Sequence, residues 1–213
     1  MGVRSNRFKE AYPAVWLRLL TPPRPDLAEG LARAARDTHT VLDISTQPAL
    51  WGGNLWASDA AFMAIGNGQA GRATDENHAF DLTQAHILQT LSSIGRETIE
   101  FYFLPIAASW SDFQVIGALQ AVEFARQEGH IKYAGLAPGP DGRLAMGLWE
   151  TRDTFDVVFA PTEEAADAIR LLAGDRGVTI LHSGRKPWAQ PDDVTLLGIK
   201  SLHEIPFELG RSA

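Results

Sequence analysis

His182 and Ser183 end the apolar run VTILHS, and they are the best-placed polar pair in the sequence for base or nucleophile chemistry. An imidazole there could serve as a general base in a cofactor-independent isomerase or lyase step. Neighbours in a strand face opposite ways, so the two act together only if the strand has already ended. Asp43, near the end of TVLDIS, is a carboxylate able to pair, to cap or to join a proton transfer. Gly198, Lys200 and Ser201 follow another apolar run, and Lys200 and Ser201 could hold an anion if SLHEIPF opens a helix. Trp51, Trp110 and Trp188 each fall shortly after a strand-like run, and with Phe159 they could line an apolar or stacking pocket.

Other chemistries are excluded or weakened. A G-x-G-x-x-G occupies positions 66–71, but a dinucleotide fingerprint needs an apolar helix after it and an acid about 20 residues on. The polar stretch RATDENH follows instead, so a flexible loop is expected. The six histidines (39, 78, 86, 130, 182 and 203) show no H-E-x-x-H spacing, and no metal site is expected. No G-x-S-x-G elbow occurs. The absence of cysteine removes thiol nucleophiles, disulfides and Cys-based metal sites.

These residues must be positioned by the elements around them. Apolar runs at 14–20, 40–45, 99–104, 131–137, 155–160, 178–182 and 194–198 read as seven strands. Between them, Leu27, Leu31, Ala34 and Ala35 share one helical face, with Asp26 the expected N-cap. Ile87, Leu88, Leu91 and Ile94 share another, between a cap at Asp81 and a stop at Gly95. Val115, Ala118, Leu119, Val122 and Ala125 form a stripe ending at Gly129, and Thr162 opens a helix carrying Ala165, Ala168, Ile169 and Leu172. Apolar strands alternating with amphipathic helices imply a parallel sheet covered by helices. The run AAFMAI (60–65) reads as a strand or a short helix, so an eroded unit is expected around 51–80. The α/β class follows, as a compact (β/α)8 TIM-type barrel or, second, an open doubly wound sheet. One domain over 1–213 is expected.

The segment from Asp81 to Ala137 resembles the aldo-keto reductases. IEFYFLP is similar to that family's Asp-Leu-Tyr-Leu-Leu-His strand. Gly129, Ile131, Lys132, Tyr133 and Gly135 match its Gly-Lys-Ile-Arg-Tyr-Ile-Gly run, and VLDIS matches the strand that ends in an aspartate. LLGIKS resembles the Gly-x-Lys/Arg-Ser turn that grips the cofactor's adenosine phosphate. The resemblance implies an NADP-dependent barrel reductase with an Asp, Tyr, Lys, His tetrad. Asp43 is retained, but Pro48 stands at the tyrosine position and Pro105 at the histidine position. No lysine occurs between Lys9 and Lys132, where the third-strand lysine should be. On the cofactor side Ser183, Gly198, Lys200 and Ser201 are retained, with Arg185 or Lys186 as helpers, whereas Ala137-Pro138 replaces the carboxamide-holding Ser-Asn pair. His182 aligns with the aromatic that stacks on the nicotinamide, and Phe159 with a glutamine of the sixth strand.

The reading is a barrel without the tyrosine, lysine and histidine of the tetrad, binding a small molecule or a protein partner. An NADP-dependent oxidoreductase with a rebuilt site, drawing on Asp43 and His182, is the alternative. The net charge of −7 offers no basic stripe for nucleic acid. No apolar run of about 18 residues suggests a membrane span, and no secretory leader is read at the N-terminus. A cytoplasmic protein is expected, and a homo-oligomer is compatible with this reading.

Overall fold

A strand covered on both faces is apolar along its whole length, and eight such runs close into one barrel. The computed structural model describes residues 11–20, 24–55, 60–138, 147, 155–173 and 178–205. The strands are β1 (Val15–Leu19), β2 (Val41–Asp43), β3 (Ala61–Ile65), β4 (Ile99–Leu104), β5 (Ile131–Leu136), β6 (Val157–Phe159), β7 (Thr179–Ser183) and β8 (Val194–Ile199). Each pairs in parallel with the next, and β8 pairs with β1 from Val15↔Thr195 to Leu19↔Ile199. The sheet is therefore a (β/α)8 barrel, and the open-sheet alternative falls.

Five described helices cover it: α1 (Pro25–Asp37), α2 (Pro48–Leu55), α3 (Glu76–Ile94), α4 (Asp112–Gln127) and α5 (Glu163–Ala173). The strand missing from the sequence reading is AAFMAI, now β3, and a 19-residue helix follows it. The expected erosion around 51–80 is therefore not seen in β3 or α3, and α2 spans Pro48–Leu55. Two cap assignments also move. Arg24 is the N-cap of α1 because Pro25 fits N1, which leaves Asp26 in the first turn. Asp75, not Asp81, caps α3, its carboxylate accepting the His78 N–H at 2.8 Å. Gly95 ends α3 with φ 64°, as its position suggests.

Alternation along the strands divides the core into two layers. Trp16, Val41, Met63, Phe101, Phe103, Val157, Leu181 and Leu196 fill the barrel interior. Leu17, Leu42, Phe62, Tyr102, Leu104, Val158, Ile180 and Leu197 face outward into the helix layer. At its start β1 is closed by Tyr12, whose ring meets Phe101 edge-on at 5.2 Å. The strongest helix pair is α3 against α4. A Cβ at Gly117 would lie 2.1 Å from the Glu76 carbonyl oxygen, so only glycine permits that approach. Gln84 Nε2 donates across it to the Ala121 carbonyl at 2.6 Å.

Candidate functional site

The inner column of each strand continues to the C-terminal mouth, where barrels of this architecture carry their chemistry. Above Trp16 comes Arg18, above Val41 Asp43, above Met63 Ile65, and above Phe103 Pro105. Ala137, Phe159, Ser183 and Gly198 extend the columns of β5 to β8. Of these eight residues only Arg18 and Asp43 ionise.

They are register partners on β1 and β2. The Arg18 Nε–H donates to Asp43 Oδ2 at 2.5 Å. The other oxygen, Oδ1, accepts the Ser45 backbone N–H at 2.8 Å and the Ser45 hydroxyl at 2.5 Å. Ser45 Oγ in turn accepts the Ile65 N–H at 2.8 Å, which ties the group to β3. The Asp43 side chain is only 2% exposed, whereas Arg18 is 31% exposed. The carboxylate is thus enclosed and satisfied, and the guanidinium is the half that reaches the mouth. Gln47, which leads into α2, holds a left-handed φ of 56°. A Cβ on Gly198 would lie 2.2 Å from Leu20, so the bare glycine gives Leu20 room against β8, beside the Arg18 register position.

His182 is displaced from its expected place. It belongs to the outward column of β7 and is fully buried, so its imidazole does not face the mouth. Its Nδ1–H donates to the Gly184 carbonyl at 2.8 Å, and Thr195 Oγ1 lies 3.5 Å from Nε2. Ser183, one residue on, falls in the inward column and is exposed. The predicted pair is therefore split by the pleat. Trp188 packs edge-on against His182 at 5.3 Å and belongs with the helix layer. Trp51 is 1% exposed in that layer, because α2 folds back at once over the sheet. Trp110 covers the turn after β3, its Nε1 2.3 Å from where a Gly71 Cβ would stand. Phe159 is the aromatic among the four that lies in an inward column at the mouth.

The G-x-G-x-x-G segment forms a turn with defined contacts where a flexible loop was expected. Gly66 leaves no room for a Cβ beside Tyr102 Oη and Pro105, Gly68 has φ 71°, and Gln69–Arg72 form a 3-10 turn. Behind β4, Tyr102 Oη meets His86 Nδ1 at 2.9 Å. Burial pushes the His86 imidazole down and the Tyr102 phenol up, favouring the neutral form of both. Among the described residues no cluster could hold a metal ion.

Lys200 and Ser201 lead into a 3-10 turn, Leu202–Glu204, with Ile205 helical after it, and the rest of SLHEIPF lies outside the described residues. Glu204 occupies two of their donors. Its Oε2 accepts the Lys200 backbone N–H at 3.0 Å, and its Oε1 accepts the Ser201 hydroxyl at 3.3 Å. A pocket of about 190 Å³ lies alongside, lined by Arg24, Asp26, Leu27, Lys200, Ser201, Leu202 and His203. A phosphate gripped by this turn would need the donors that Glu204 holds and would meet its charge. The Lys200 backbone N–H and the Ser201 hydroxyl are thus withheld from a phosphate at this turn, while Arg24 and Lys200 line the pocket beside it.

Arg18 and Ser45 are the site residues that sequence reasoning missed. The available signal was an arginine inside VWLRL, since a charge in a strand apolar on both faces needs a partner or an opening. No protein-family model matches the sequence. No curated protein matches it either. Solved structures do match. An aldo-keto reductase from Bacillus halodurans, in its holo form, superposes with a TM-score of 0.71 at 12% identity, covering 92% of this chain and 85% of that one. An aldo/keto reductase from Brucella melitensis gives 0.65 at 11%, over 91% and 86%. The aldose reductase from Schistosoma japonicum gives 0.65 at 11%, over 91% and 81%. At these identities the likeness is one of fold, and the resemblance read in the sequence holds at that level.

Proposed function

From the premise that this chain has the fold of the aldo-keto reductases, we propose that it is a small-molecule-binding barrel without ordinary carbonyl reductase activity. Among the described residues the mouth carries one ion pair, Arg18–Asp43, and no phenol or imidazole, and this observation supports the reading most directly. Carbonyl reduction needs a proton donor within hydrogen-bond reach of the carbonyl oxygen. A guanidinium does not give up its proton in a protein, so the arginine of this pair is no such donor. Pro48 and Pro105 stand where the resemblance places the tyrosine and the histidine. Asp43 keeps a cationic partner, but the cation comes from β1 and not from a third-strand lysine. In this reading the ion pair recognises a ligand and does not turn it over, as in a pseudoenzyme.

The alternative is an NADP-dependent oxidoreductase with a rebuilt site, and the cationic lining of the pocket beside Lys200 favours it. Calorimetric titration with NADPH, followed by a carbonyl reduction assay, separates the two. The expected result is no saturation at about 1 mM cofactor, a level corresponding to only ~4 kcal/mol of binding, and no cofactor oxidation with aldehydes or ketones. Micromolar binding that Lys200→Ala weakens would overturn the binding-only reading.

A further inference from the structure

The geometry points to a small organic carboxylate as the ligand class of the mouth, with Arg18 as its anchor. This rests on the reading of the barrel as a small-molecule-binding protein and deepens it. A guanidinium carries five N–H donors arranged along two bidentate edges. Asp43 engages the Nε–H. Among the described residues no other hydrogen bond or ion pair of Arg18 occurs, so the terminal Nη edge is open toward the mouth.

Asp43 does not compete for that edge. Its Oδ1 is filled by two donors from Ser45, and its side chain is almost wholly enclosed. The carboxylate thus sets the rotamer of Arg18 from behind, as a positioning residue. Two bonds from the open edge to one planar acceptor match a carboxylate, with both N–H groups aimed in parallel.

The surroundings supply the rest of the ligand's chemistry. Ile65 and Phe159 are partly buried and pack on the interior core, giving an apolar wall. Leu20, 54% exposed, lies just past the end of β1, and its N–H donates to the Ile199 carbonyl at the end of β8. Ser183 adds an exposed hydroxyl from β7. The described residues of the mouth, with a forked cation, an exposed hydroxyl and aliphatic or aromatic walls, suit a compact acid with an apolar body.

Calorimetry on the full chain with phenylacetate and butyrate, each against its amide, tests this. Inorganic phosphate serves as the anion without an apolar body. The carboxylates should saturate, with amides and phosphate at least about tenfold weaker. Arg18→Gln should bring the carboxylate Kd to that of the amide, whereas Phe159→Ala should weaken acid and amide alike. Should Arg18→Gln fail to fold, Ser183→Asp at an exposed position repels a carboxylate and spares the amide, and it should cost the acid about tenfold. Equal affinity for acid and amide, indifference to Arg18→Gln or Ser183→Asp, or binding of neither ligand would each overturn the inference. Carbonyl reduction with NADPH would instead sink the binding-only reading while leaving the Arg18 dependence intact, so the two failures are distinguishable.

Discussion

An enclosed carboxylate whose two oxygens are filled by Arg18 and Ser45 is costly to remove, because each donor is left without its acceptor. Breaking a fully buried ion pair costs roughly 3–5 kcal/mol. Arg18 is 31% exposed and can be rehydrated, so Asp43→Ala should cost less, about 2 kcal/mol, measured by urea unfolding. A cost near zero would mean that the pair is solvated and positions nothing. The His86–Tyr102 contact carries a pH signature. The native imidazole titrates below its ordinary value of 6.5 because burial disfavours its charge. The unfolded chain therefore binds the proton first as pH falls. The contribution is intact above 6.5 and is lost as pH drops through the native value. Urea midpoints at a series of pH values should show this slope, and His86→Gln should flatten it. Parallel curves for the two proteins would sink the assignment. None of this partnership was legible from residue types alone. Asp43 stood out because a carboxylate at a strand end is conspicuous, whereas Arg18 was hidden inside a run read as apolar.

Elements were more legible than their ends. Period-2 and period-3.6 patterns identify strands and helices, but several polar residues can offer the same cap, and only the backbone decides which one does. Asp75 precedes α3 and caps it, while Asp81 lies inside the helix. Asp75→Ala should accordingly cost about 1 kcal/mol, and Asp81→Ala less than about 0.5 kcal/mol, both measured by thermal unfolding. The reverse order would return the cap to Asp81. The contact of α3 with α4 makes a stronger demand. Gly117→Ala gains up to about 1 kcal/mol of helix propensity. It also places a Cβ against the Glu76 backbone, which has no flexible end to move aside. Overpacking of this kind costs roughly 1–3 kcal/mol, so net destabilisation in urea is expected. A stabilised variant would show that α3 can shift without loss. The unit around 51–80 was misread for a similar reason. AAFMAI is apolar throughout, and a run that short carries no period to distinguish a strand from a helix.

Across the whole molecule, closure of β8 onto β1 turns eight short strands into one cooperative core with an inside and an outside. Trp16 lies at its centre, fully buried, with its ring 4.5 Å from that of Phe101 and its Nε1–H on the Pro13 carbonyl. Trp16→Ala should cost about 3–5 kcal/mol, read as a shift of the urea midpoint without loss of cooperativity. A shift under about 1 kcal/mol would mean that the interior repacks. None of the described helices is long and apolar enough to cross a membrane. The sequence by itself determined the class and the repeating strand–helix order. These depend on local pattern and residue identity, which need no coordinates. Only the tertiary structure decided which side of each strand faces the mouth, because a single residue of register turns a side chain from the lumen to the helix layer. That choice removed His182 from the mouth and brought Arg18 to Asp43, whereas Trp51 was placed by α2 and Trp188 by the loop after β7. The tertiary structure also set Glu204 on the Lys200–Ser201 turn, a contact governed by how the chain leaves β8 and by no pattern along it.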